Sequence, residues 1–139
     1  MCCLIKKRGE IFIKKIPLFL IVLLLFLSAC SSKTFTFSGE TDNWSAELKV
    51  TQTNDDYETQ EFKLQYKGKD NNSVGKITYN IDTNAGGFGK GDVELNKDGF
   101  LIGKSEANPT NAKVIEKSEV KMTVEWNGNS ETILLSNIR

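Results

Sequence analysis

The chain predicts an all-β protein: an antiparallel two-sheet β-sandwich, immunoglobulin-like in the broad sense, behind a segment that is removed. Two observations carry the fold. From residue 35 onward, apolar and polar residues alternate with a period of two in one short run after another, as in strands with one buried and one wet face. Clusters of Asn, Asp, Gly and Ser separate these runs, and such residues make turns. A third observation sets off the N-terminus, where a basic segment leads into a charge-free run that ends in a cysteine.

Residues 1–15 hold Lys6, Lys7, Arg8, Lys14 and Lys15 against one acid, Glu10, and Ile16 to Cys30 then carry no charge. A basic region, an apolar core of about a dozen residues and small residues before a cut describe a secretory signal. A spanning helix needs about 20 apolar residues, more than this run supplies by itself. An uncleaved signal anchor is the weaker alternative. The closing Leu27-Ser28-Ala29-Cys30 resembles the bacterial lipobox. That resemblance implies a diacylglyceryl group on the Cys30 thiol and cleavage between Ala29 and Cys30. Two acyl chains, at about 0.8 kcal/mol per buried methylene, suffice for stable anchoring where one is marginal.

The expected organisation is therefore a signal peptide over 1–29, a lipidated N-terminus and short tether over 30–34, and a β-sandwich domain over 35–139. Cys2 and Cys3 fall in the removed part, so the mature chain has a single, acylated cysteine and no disulfide. Its core alone must hold an extracytoplasmic fold. The remaining 110 residues suit one domain. Thirteen of the 18 basic residues and 17 of the 18 acids lie from Cys30 onward, a net charge of −4. An acidic surface argues against nucleic acid, which needs a basic patch, and leaves the acyl group as the membrane anchor.

The strands follow in order. Phe35 and Phe37 alternate with threonines; Trp44, Ala46, Leu48 and Val50 alternate with Ser45, Glu47 and Lys49. Phe62, Leu64 and Tyr66, then Ile77, Tyr79 and Ile81, repeat the pattern, with a loop over 67–73 between them. Asn96-Lys97-Asp98-Gly99 predicts a tight turn between Val93-Glu94-Leu95 and Phe100-Leu101-Ile102. Asn108-Pro109 can open a helical turn, though a long loop fits better. Asn127-Gly128 is a hairpin signal, since both residues tolerate the positive φ that such turns require. Pairing Trp126 with Asn129 across it sets Met122 opposite Ile133 and Val120 opposite Leu135, all on one face. Seven or eight short strands in about 105 residues predict the sandwich, with a small closed barrel as the alternative.

Phe37-Ser38-Gly39-Glu40-Thr41-Asp42-Asn43-Trp44, together with Glu125-Trp126-Asn127-Gly128, resembles a group of small lipoproteins of Bacillus-type Gram-positive bacteria. The resemblance implies a membrane-anchored β domain outside the cell and brings no catalytic or binding residue with it. Read from the residues, Trp44 is a core side chain, and Trp126 beside its turn is expected to be half exposed.

Candidate chemistry is sparse. The chain has no histidine, which removes Ser-His-Asp and Cys-His systems and the usual zinc sites. Asp55-Asp56 and Asp92 with Glu94 read as solvated charge in a turn and on a wet face. Ala85 to Asp92 is glycine-rich, but no Gly-Lys-Ser/Thr follows it, and a calcium-binding glycine repeat needs an array; a flexible loop with a bulge is expected. Glu94 to Gly99 imitates the front of an EF-hand loop, yet Ser105 stands where a bidentate Glu is required. No catalytic, cofactor-binding or metal-binding residue is assigned. The expectation is a non-enzymatic protein on the outer face of the cell membrane. It would be held by the lipid on Cys30 and bind an envelope protein or another envelope component. A small-solute or calcium-binding lipoprotein using the Gly86–Asp98 region is the alternative, and a hydrolase ranks last.

Overall fold

Six of eight strands form because their runs turn one apolar face toward a shared core, and the two edge strands add only partly buried side chains to it. The structure, a computed structural model, describes residues 32–54, 57–107 and 113–138. The strands are β1 (Lys33–Glu40), β2 (Trp44–Gln52), β3 (Glu58–Tyr66), β4 (Lys76–Thr83), β5 (Gly86–Glu94), β6 (Phe100–Ala107), β7 (Val120–Trp126) and β8 (Asn129–Ile138). A single 3-10 turn, Asn71–Ser73, lies between β3 and β4, with the Asp70 side chain accepting from the Asn72 N–H. β1 begins at Lys33, inside the stretch expected to be tether.

The strands make one antiparallel sheet in the order β5-β4-β7-β8-β1-β2-β3-β6, which curls until it nearly closes into a barrel. The antiparallel all-β class is as expected, and the finer expectation of a two-sheet, immunoglobulin-like sandwich is not confirmed. The joint is β8, whose first part pairs with β7, from Trp126↔Asn129 to Val120↔Leu135. Its last residues pair with β1, Ser38↔Ser136 to Thr36↔Ile138. The crossing is tight: a Cβ on Gly39 would stand 2.1 Å from the Leu134 carbonyl oxygen. Strand spacing in the sequence is the same whether the ladder is broken or continuous, so it could not separate the two architectures.

The core draws on both halves. Phe37, Trp44, Leu48, Val50, Leu64, Ile77, Ile81, Met122 and Ile133 are buried together. Trp44 is fully buried as expected, while Trp126, expected half exposed, is only 9% exposed. The reason is aromatic packing. Trp126 stands edge-on to Trp44 with ring centroids 5.3 Å apart, and Tyr66 meets Trp44 from the other strand at 5.2 Å. Such pairs add to the area they bury, and this offsets a buried Trp44 Nε1–H that finds no acceptor among the described residues.

The Asn127-Gly128 turn is as read. Both residues have positive φ, 45° and 76°, and the predicted register across it is present, Met122↔Ile133 included. The glycine-rich segment differs from the expected loop: it is strand β5, paired along β4. Backbone hydrogen bonds need no side chain, and glycine is here a steric requirement. A Cβ on Gly89 would come 2.3 Å from the Tyr79 carbonyl oxygen, and one on Gly87 within 2.9 Å of that of Ile81. The expected bulge does occur: the register slips between Ile77 and Tyr79, with Asp92 at a φ of 53° opposite the slip.

The turn at 96–99 is also present, closed by Gly99 N donating to Asn96 O and by Asn96 N donating to Phe100 O. Its flanking strands nevertheless part, β5 to β4 and β6 to β3. They form the two edges of the sheet and leave a seam. Phe62 fills it from inside, 4.7 Å from the Tyr79 ring and 6.0 Å from that of Phe88. Gly103 makes room, since a Cβ there would fall 2.3 Å from the Phe62 ring.

Gly39→Ala should therefore cost about 3 kcal/mol, the upper range for overpacking, because the obstacle is backbone rather than a movable side chain. Urea unfolding checks this. An unchanged midpoint would show that β1 and β8 can separate without loss.

Candidate functional site

Cys30 and Ala29, on which the sequence reading centres, lie outside the described residues, as do Asp55, Asp56 and Asn108-Pro109. The described residues give the domain two ends. All strands are antiparallel, so Lys33 shares one end with the turns after β2 and β4, the loop after β6 and the last residues of β8. The turns after β1, β3, β5 and β7 share the opposite end.

The Lys33 end is closed by a polar clasp. β3 keeps its parity backward from Tyr66, Leu64 and Phe62, so Glu58 also faces inward and is 1% exposed. Its carboxylate accepts from Gln52 Nε2 at 2.7 Å, from Gln60 Nε2 at 2.7 Å and from the Val114 N–H at 3.2 Å. Gln52 Nε2 also donates to the Val114 carbonyl at 2.6 Å. Both backbone groups of Val114 are thus satisfied by side chains, much as a neighbouring strand would satisfy them. The Val114 side chain, fully buried, plugs this end of the core.

Residues 113–118 of that loop are tied down in the same manner. Asn84 Nδ2 donates to the Lys113 carbonyl at 2.8 Å, Asn137 Nδ2 to the Glu116 carbonyl at 3.2 Å, and Ser118 Oγ accepts from the Ile115 N–H at 2.8 Å. Beside it runs an open groove of about 460 Å³ lined by Asp82, Asn84, Ile115, Lys117 and Lys121. On the adjoining surface the Tyr57 hydroxyl donates to Glu106, which Lys104 pairs at 3.0 Å. The Tyr57 hydrogen bond, then Lys104, hold the Glu106 carboxyl below its usual value, and the same hydrogen bond raises the Tyr57 phenol.

At the opposite end, Glu131 of β8 gathers the turn after β1. Its carboxylate accepts from the Thr41 hydroxyl and from Asn43 Nδ2. Burial pushes this carboxyl upward, but the hydrogen bonds from Thr41 and from the Asn43 side chain and backbone outweigh it and hold the group below its ordinary value. Lys67 reaches the same turn, donating to the Thr41 carbonyl at 2.8 Å and standing 3.6 Å from Glu40.

The other candidates do not converge into a centre. Asp92 sits in the β5 bulge and Glu94 stands opposite Lys76 across the ladder. The Asn96 side-chain oxygen, a would-be cation ligand, is engaged by the Asp98 and Phe100 N–H groups at 3.0 and 2.9 Å. No group of three or more His, Cys, Asp or Glu residues placed to hold a metal occurs among the described residues. Sequence reasoning missed Glu58, Val114 and Glu131. Strand parity carried back from Phe62 would have found the first; the partners of the other two are dozens of residues away in the chain.

Compared with protein families, with curated proteins and with solved structures, the chain matches none.

Two predictions follow from the geometry of the ends. Glu58→Ala leaves the Val114 N–H and the Gln60 amide without their acceptor, takes one of two bonds from the Gln52 amide, and should destabilise the domain by about 3 kcal/mol. Hydrogen exchange at Val114 should rise with it, and unchanged protection there would refute the clasp. The depressed Glu131 carboxyl contributes stability that is complete above the unfolded-state value near 4.3 and is lost as pH falls through the folded value. Acid unfolding curves of wild type and Glu131→Gln should accordingly converge as the pH drops below about 4.

Proposed function

We propose that the protein is a lipid-anchored extracytoplasmic β domain with no catalytic activity, a binding module for an envelope protein or another envelope component. One observation carries the reading: the charge-free run after five basic residues ends in Leu27-Ser28-Ala29-Cys30. A diacylated Cys30 would lie three residues before β1, a reach of about 10 Å. The Lys33 end would then face the membrane, and the turns at 41–43, 67–75, 95–99 and 127–128 would face away. Loops carried on a rigid sheet are the usual recognition surface. The uncovered edge of β6, with Ile102 exposed, adds a ladder that an extended partner segment could extend.

The absence of histidine and the blocking of the one mature cysteine by acylation remove the common nucleophile systems. In the calcium alternative the ligands would be the Glu94 and Asp98 carboxylates, since the Asn96 oxygen closes its own turn.

The experiment is in-cell crosslinking, capture and mass spectrometry on wild type and Cys30→Ala. Wild type should sediment with membranes, carry a diacylglyceryl mass on Cys30 and crosslink to an envelope component. Cys30→Ala should lose all three. Retention of the variant in the membrane fraction would overturn the anchor, and a wild-type protein that is anchored yet crosslinks to nothing would overturn the binding role.

A further inference from the structure

Five large apolar side chains are exposed among the described residues: Tyr57, Ile102, Ile115, Leu134 and Ile138. Ile102 and Leu134 lie on the outer faces of separate strands. The other three come from three separate segments: Tyr57 and Ile115 at the Lys33 end, and Ile138 at the close of β8, opposite Thr36 and on the same outer face as Leu134. The clasp links the three segments. Tyr57 precedes Glu58, which binds Val114; Ile115 follows Val114; and Ile138 follows Asn137, which binds the Glu116 carbonyl.

Ile115 is not exposed by looseness. Its neighbour Val114 is fully buried, its own N–H is held by Ser118, and the loop is fixed from Gln52, Glu58, Asn84 and Asn137. A rigid backbone therefore presents an isoleucine that is 55% exposed, at the end where the N-terminal chain enters. Lys117 and Lys121 line the groove with it, as do Asp82 and Glu119. Lysine stems cover apolar surface while the ammonium groups reach polar headgroups.

We propose that this end of the domain is a second membrane contact, lying on the lipid bilayer with Ile115 and Ile138 set into the boundary between headgroups and acyl chains and Tyr57 at its rim. The proposal rests on the reading of Cys30 as the lipid anchor. Three residues of chain, about 10 Å, keep the Lys33 end at the bilayer surface, so this end has lipid as its neighbour at high effective concentration. The contact is apolar rather than electrostatic, because the mature chain carries a net charge of −4. It also fixes orientation: a single tether lets a domain tumble, and a second contact holds the opposite turns outward.

The test uses the acylated full-length product, purified in detergent and reconstituted into phosphatidylcholine vesicles. Cys30 is blocked, so Ile115→Cys, Ile138→Cys and Lys97→Cys each supply one free thiol for an environment-sensitive fluorophore. All three sites are solvent-exposed, so the substitutions spare the core. Doxyl-labelled lipid should quench the labels at 115 and 138 about threefold more strongly than that at 97, and high salt should leave the difference unchanged. Equal quenching at the three sites, on protein whose intact mass shows the diacylglyceryl group, would overturn this contact and leave the anchor standing. Loss of the difference in salt would replace it with an electrostatic contact. An intact mass without the acyl group would overturn the anchor reading and this contact with it.

Discussion

Strand β8 has to serve two neighbours. Its first seven residues complete the ladder with β7 and its last three turn to β1, so the whole sheet is continuous only if the chain bends at that passage. The bend brings the Leu134 carbonyl onto β1 at a point where no side chain fits, which is why Gly39 stands there. Everything else depends on this passage. It folds the β5-β4-β7 half over the β1-β2-β3-β6 half, and it lets Met122, Ile133, Trp44 and Leu64 share one core.

The closure is incomplete, and the two ends of the curled sheet are finished differently. One is capped by apolar and aromatic packing, with Trp44, Tyr66 and Trp126 in contact and Glu131 gathering the turn above them. The other is capped by polar side chains that imitate a strand, Gln52 and Glu58 binding both backbone groups of Val114. A buried carboxylate is tolerated only when fully hydrogen-bonded. Glu58 accepts three amide N–H groups in return for holding a loop that has no ladder of its own. That arrangement fixes the loop's backbone, and with it the outward direction of Ile115. A domain tethered by a short chain would gain a preferred orientation from such an end, with its remaining turns left for recognition.

Much of the sheet was legible in the chain. The parity of Trp44, Ala46, Leu48 and Val50 and that of Phe62, Leu64 and Tyr66 assigns their buried faces, because side chains on a strand alternate by geometry. Asn127-Gly128 sets its hairpin register because the turn conformation leaves no other pairing in line. The glycines of β5 misled for an equally physical reason. Glycine lowers strand propensity in general, yet here the backbone approach to Tyr79 and Ile81 excludes any larger residue. The clasp was legible only in part: parity would place Glu58 inward, but nothing near it in the chain announces Val114, 56 residues away.

The sequence by itself determined the local terms: which residues alternate, where the chain turns, that one run is charge-free and ends in Leu-Ser-Ala-Cys, and that the chemistry of histidine is absent. These are set within a few residues of chain. Tertiary structure decided strand order, the parting of β5 from β6 across a well-formed turn, the burial of Trp126 and the capture of Val114 by Gln52 and Glu58. Each depends on contacts between residues far apart in the chain, whose energies arise only once β8 has bent across Gly39 and the two halves face each other.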